Sequence, residues 1–186
     1  MDILAAFGLS ASAGLNAYIP LLTVSLLARF TDLIVLGEPW RALESWWIIG
    51  ILVVLSTIEF FADKIPVVNH INDIVQTLIR PAAGAILFAA SANVITEIHP
   101  ILSIAAGLLV AGSVHVVKSA AVRPAITATT GGAADIPVSM LEDLISTTLS
   151  VLSVVLPIVV GILLLILGTW IIWWLSKRSM RKQTPG

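Results

Sequence analysis

Glu59 and Asp63 stand four residues apart, which places both carboxylates on one face of a helix, with Glu59 roughly one turn inside its end. In a hydrocarbon environment an ionised carboxylate costs about 3 kcal/mol unless a cation or water meets it. Lys118 and His115, themselves three residues apart, are the candidate partners. Two readings stand side by side: an ion pair that pins two helices together, or a relay or gate for a proton or cation.

Arg80-Pro81 and Arg123-Pro124 form a matched pair. A guanidinium held where a proline ends a helix can grip a phosphate or carboxylate through two parallel hydrogen bonds. It can equally reach out to lipid headgroups with no specific ligand; that plainer reading suits Arg80, while Arg123 borders a polar segment. Within the segment, Thr127, Thr129, Thr130, Gly131 and Gly132 spell T-x-T-T-G-G. Hydroxyls and glycine backbone in such a run can coordinate a dehydrated cation, or their N–H groups can cradle an anion, against the plain reading of a tight packed turn. Ser10, Ser12, Asn16 and Tyr18 could face the same space. There is no nucleophile elbow, phosphate-binding loop or zinc spacing, and His70, His99 and His115 are too scattered for a metal site, so no metal and no cofactor are expected.

The scaffold that must hold these groups is set by composition. With 58% hydrophobic and 11% charged residues, and a mean hydropathy of +1.04, the chain belongs to the membrane class, and its 186 residues suit one integral unit spanning 1–176. Lys177, Arg178, Arg181 and Lys182 crowd the remaining 177–186, which reads as a basic cytoplasmic tail rather than a nucleic-acid contact. The absence of cysteine removes disulfides, thiolate metal sites and a Cys nucleophile together. Asp2 stands where a signal peptide requires Lys or Arg, and the apolar pattern continues past it, so the N-terminus reads as mature protein.

A membrane helix needs about 20 apolar residues. Ile3 to Phe30 is longer and is interrupted by Gly8, Gly14, Asn16 and Pro20, which predicts a broken first span. Thr31 to Ser45 reads as a loop on the membrane surface. Trp46 and Trp47 anchor a second span to about Ala62. Val68 to Ile79 is an amphipathic helix, with Asn69, Asn72, Asp73 and Gln76 against Val68, Ile71, Val75 and Leu78, and Arg80-Pro81 is expected to end it. Ala82 to Ile98 and Ile101 to Lys118 make the third and fourth spans. Ser119 to Val138 is too weakly apolar for a lipid-facing helix and is expected to be irregular, crossing or re-entrant against a polar cavity. The apolar run Ser139 to Leu175 is too long for one span and is expected to break at Pro157 and Gly161.

Two stretches repeat. Ile65, Pro66 and Val67 are followed by Asn72, Asp73, Ile74, Val75 and Thr77; Ile136, Pro137 and Val138 are followed by Glu142, Asp143, Leu144, Ile145 and Thr147. With about six crossings, Lys64, Arg80, Lys118, Arg123 and the tail all face the cytoplasm, both termini lie inside, and the halves 1–98 and 99–176 become an inverted repeat.

G-L-S-A-S-A-G-L-N-A-Y-I-P-L-L, A-D-K-I-P-V, R-P-A-A-G-A and R-P-A-I-T-A-T-T-G-G with a following E-D resemble the small bacterial membrane-protein family known as domain of unknown function 4126, over residues 8–143 at least. That family more often has Arg near Asn16 and Asn near Asp135, so no charged role is carried over to either position. The resemblance implies a polytopic helical membrane protein and supplies no activity.

The expectation is therefore an all-α polytopic protein of the inner membrane, with broken or re-entrant helices, working as a small transporter or channel. It would move a small ion, an anionic solute or a lipid phosphate between two repeats. Glu59, Asp63, Lys118, Arg123, Thr127, Thr129, Thr130, Gly131, Gly132 and Asp143 would line the pathway, with Asn16, Asp73, Arg80 and His115 in secondary places. A non-transporting scaffold or assembly factor is the rival, and an intramembrane enzyme acting on lipid the third possibility. The bilayer is the expected partner, with a homodimer permitted by the Ala and Gly faces and no nucleic acid.

Overall fold

The computed structural model describes residues 3–64, 66–92 and 99–181, leaving out the side chains at 66–71, 73, 92, 174, 175 and 178–181. Among the described residues the chain is helical with no strand. Its order is α1 Ile3–Leu15, α2 Tyr18–Phe30, a short 3-10 turn Trp40–Glu44, α3 Trp46–Ala62, α4 Pro66–Ala92, α5 Pro100–Val117, a π turn Lys118–Val122, α6 Arg123–Thr130, α7 Asp135–Val155 and α8 Pro157–Arg181.

The centre of the bundle is α1, which packs against α4, α5, α7 and α8. A sequence of Ala, Gly and Ser makes this possible, because small side chains let backbones approach where lipid supplies no hydrophobic drive between helices. The contacts are tight enough that a Cβ on Gly107 would strike the Gly84 carbonyl and come within 2.6 Å of the Phe88 Cβ. Leu9, Ala13, Val24, Leu52, Leu87 and Ala111 fill the core around these crossings.

The first span is broken as expected, at Asn16 alone of its four interruptions, since α1 runs through Gly8 and Gly14 and α2 through Pro20. The Asn16 Oδ1 accepts from the backbone N–H of Tyr18 at 3.1 Å and of Ile19 at 3.0 Å, which caps the start of α2. Ser45 caps α3 in the same manner through the Ile48 N–H at 3.4 Å. The chain between α2 and α3 is more than a surface loop, since it buries Ile34 and Leu36 in the core. The expected break at Pro157 is present: Leu156 leaves the helical conformation and α8 starts at the proline.

Three expectations are corrected. Arg80-Pro81 does not end a helix: α4 runs through Pro81 for 27 residues. A proline removes one ladder bond, which a membrane helix survives when neighbouring groups take over the freed backbone. Residues 119–130 are not irregular either; they continue α5 through the π turn into α6, a helical run of 31 residues from Pro100 to Thr130. Finally, among the described residues three helices are long and apolar enough to cross a membrane, not six. Splitting of the first span and the shorter α3 and described part of α8 leave four apolar helices of 10–17 residues beside them.

Outward faces are apolar. Trp47, Val54, Leu109, Leu144, Leu165 and Ile172 are all exposed, while α7 buries Ser139, Glu142, Asp143, Ser146, Ser150 and Ser153. Polar groups inside and bulky aliphatic groups outside are the arrangement that a lipid solvent demands and water does not, so this is a membrane-embedded helical protein. Pro66 begins α4 and Pro137 lies in the first turn of α7, so each I-P-V segment opens a helix. The side chains of Val68, Asn69, Ile71 and Asp73 and those at 178–181, together with residues 182–186, fall outside the described set.

Candidate functional site

Ionisable side chains from six helical segments meet beside the Asn16 break. The last turn of α3 brings Glu59, and Asp63 follows as its C-terminal cap. The middle of α4 brings Arg80, the end of α5 His115, the π turn Lys118, the start of α6 Arg123, and the early turns of α7 Glu142 and Asp143. All are at most 9% exposed.

Asp63 is the hub. Its Oδ2 lies 3.5 Å from Arg123, 3.7 Å from Arg80 and 3.8 Å from Lys118. Glu142 pairs with Lys118 at 2.9 Å and with Arg123 at 2.6 Å; Glu59 pairs with Arg80 at 3.0 Å. At the rim Lys64 reaches Asp143 at 3.4 Å. The Asn16 amide donates to the other Asp143 oxygen at 3.0 Å. Lys118 also donates to the Leu15 carbonyl at 2.8 Å, which satisfies the broken C-terminal end of α1. Lys64, Arg80, Lys118 and Arg123 thus face Glu59, Asp63, Glu142 and Asp143, four formal charges of each sign.

The π turn makes the arrangement possible. In a regular α-helix residues five apart point about 140° away from each other. Here the Arg123 backbone N–H bonds the Lys118 carbonyl, the wider i to i+5 closure, and the extra residue per turn brings both cations to Asp63 and Glu142.

The site departs from the sequence expectation in several places. Glu59 finds Arg80, while Lys118 goes to Glu142 and, less closely, to Asp63. His115 touches Arg80 at 3.2 Å and Thr77 at 3.2 Å. Arg80 is wholly buried rather than reaching to lipid headgroups. Thr127, Thr129 and Thr130 are exposed and return hydrogen bonds to carbonyls of their own helix, at Arg123, Ala125 and Ile126. Gly131, with φ +63, forms the left-handed C-terminal cap that follows them, and Gly132 carries φ +89. The T-x-T-T-G-G run is a helix end and turn in this conformation, apart from the charged cluster. A groove of about 570 Å³ on α3, lined by Trp46, Trp47, Gly50, Ile51, Val54 and Leu55, is apolar and belongs to the outer surface.

Sequence reasoning missed Glu142 and Lys64 as members, and it missed the hydroxyl stripe beyond them. Ser12 lies 2.8 Å from the Ser146 hydroxyl and 2.7 Å from that of Ser150, and Ser10 donates to the Gly84 carbonyl at 2.9 Å. The signal was available: Ser139, Glu142, Asp143, Ser146, Ser150 and Ser153 recur every three or four residues, which is one face of a helix.

The family model described as domain of unknown function (DUF4126) matches residues 3–178. The chain belongs to the DUF4126 family. No curated protein and no solved structure matches it. The residues of this DUF4126 protein that make the cluster, from Asn16 to Asp143, all fall inside the matched span.

Proposed function

We propose that this DUF4126 protein is a small transporter of a bacterial inner membrane for a proton or another small cation. The observation that carries the reading is the buried polar stripe of α7. From Ser139 to Ser153 it runs about 21 Å at the rise of an α-helix, against about 30 Å of hydrocarbon. It is continuous with the charged cluster at one end and with Gly8 and Ser153 at the other. A helix that only had to anchor a bundle would gain more from Ala or Leu on that face, since membrane helices pack well without hydroxyls. The anionic versions of the cargo are disfavoured, because Arg80, Lys118 and Arg123 already hold carboxylates.

The rival is a scaffold in which the cluster only locks helices together, and the equal count of opposite charges favours it. Single cysteines separate the two in this cysteine-free chain. Ser146→Cys is fully buried in the conformation described, and Thr130→Cys is an exposed control. A transport cycle that opens the stripe makes Ser146→Cys react with an impermeant thiol reagent from at least one side of the membrane. If it stays unlabelled from both sides while Thr130→Cys reacts, the stripe is dry and the scaffold reading replaces this one.

A further inference from the structure

Around Arg80, whose own Nε has no hydrogen-bond partner, two buried acceptors are left over. Glu59 uses Oε1 for Arg80, but its Oε2 is buried with no hydrogen-bond partner, and so is the Oε1 of Gln76. Glu59 is 1% and Gln76 2% exposed. A bare carboxylate oxygen and a bare amide oxygen in such burial each forfeit about 1–3 kcal/mol, and as two acceptors they cannot satisfy one another.

Both residues stand beside Arg80. Gln76 and Arg80 are four residues apart on α4 and share its face, and Arg80 grips Glu59 at 3.0 Å. From α2, Tyr18 hydrogen-bonds Gln76 and stands in the field of Glu59. The other groups facing Glu59 are Asp63 at the end of its own helix, Arg80 from α4 and Lys118 from the π turn, with His115 of α5 behind Arg80.

We propose that Glu59 is a proton-binding site, taking a proton on Oε2 and donating it as an O–H hydrogen bond to Gln76 Oε1. The step balances simply: a hydronium ion delivers H⁺, an O–H bond forms on Glu59, water is released and the carboxylate charge goes from −1 to 0. The single proton satisfies both orphaned oxygens. Arg80 keeps a carboxylate throughout, because the same Nη2 that meets Glu59 Oε1 at 3.0 Å has Asp63 Oδ2 3.7 Å away. A guanidinium shared between Glu59 and Asp63 can thus lean toward Asp63 when Glu59 is neutral and return when the proton leaves. The inference rests on the transport reading for its purpose and names the coupling ion as H⁺, but proton binding is measurable without transport.

The test is infrared difference spectroscopy of the purified, lipid-reconstituted protein as pH is stepped from alkaline to acid. A protonated-carboxyl band is expected in the wild type, absent in Glu59→Gln and moved in Gln76→Leu to the position of a carboxyl that has lost its hydrogen bond. No band assignable to Glu59 at any pH overturns the proposal, as does a band unmoved by Gln76→Leu. Should Glu59→Gln not fold, Gln76→Leu decides alone, since it retains every ion pair. A Glu59 band together with unlabelled Ser146→Cys would keep the proton site and discard transport. Labelled Ser146→Cys without the band would do the reverse.

Discussion

Arg80 Nη1 lies 3.2 Å from Nδ1 of His115. A guanidinium has only hydrogens to offer, so this contact makes Nδ1 the acceptor and leaves the ring proton on Nε2, which donates to the Thr77 hydroxyl at 3.2 Å. Nitrogen-15 spectra of imidazole-labelled protein are expected to show His115 as the Nε2–H tautomer. Thr77→Val, which removes the acceptor, is expected to cost about 1 kcal/mol of stability. An Nδ1–H ring would break this account of the cluster.

Asp63 contacts three cations, so removing its charge leaves positive charge buried without its hub. Asp63→Asn is expected to destabilise the protein by about 3–5 kcal/mol, the cost of breaking a buried pair on one side. Lys118→Met should do similar damage, and the double change should be less harmful than the sum because it removes one charge of each sign. A thermal or denaturant series on all three proteins reads the coupling. Simple additivity would place the two residues in separate environments.

The membrane class, the apolar helix behind Trp46 and Trp47, the breaks at Asn16 and Pro157 and much of the cluster's membership were legible in the sequence, for reasons that are local. Trp46 to Ala62 is one uninterrupted apolar run behind paired tryptophans, and it folds as α3 with those bounds. Asn16 is a polar cap in an overlong apolar stretch. What failed depended on partners distant in sequence. Pro81 reads as a helix end until the neighbours of α4 are known, and the weak apolarity of residues 119–130 reads as irregular until their own hydroxyls are seen bonding back to the helix. A π turn has no sequence signal of its own, so the pairing of Lys118 with Arg123 on one face was invisible. Glu142 was in view within the repeat, but nothing local to it says that it faces two cations.

The glycines of the bundle divide by what a methyl group would meet. At Gly107 it would meet the Gly84 backbone, the Phe88 Cβ at 2.6 Å and the Ala85 Cα at 2.8 Å, none of which is the end of a flexible side chain. Gly107→Ala is expected to cost about 1–3 kcal/mol as α4 and α5 are forced apart. At Gly50 nothing lies within 4 Å, so Gly50→Ala should be neutral or slightly stabilising through helix propensity. Unfolding in mild detergent of the two single variants, side by side, checks the contrast. Equal behaviour would mean that the α4–α5 crossing is looser than described.

Asn16 carries two jobs that only an amide performs together. Its oxygen accepts from the N–H groups of Tyr18 and Ile19, and its nitrogen donates to Asp143 at 3.0 Å. Asn16→Asp keeps the cap but turns the second contact into two facing carboxylate oxygens, in a place where burial strengthens their repulsion. Asn16→Ala loses the cap, at about 1 kcal/mol, and takes the amide donor from Asp143 while its ion pair with Lys64 stays. The swap of Asn16→Asp with Asp143→Asn restores a donor facing an acceptor and preserves the cap, so it should recover most of the stability lost in Asn16→Asp. Thermal unfolding of the two singles and the swap decides the matter. A swap no more stable than Asn16→Asp alone would show that Asp143 is needed as a charge, held for Lys64, and not as the acceptor that fixes the broken span.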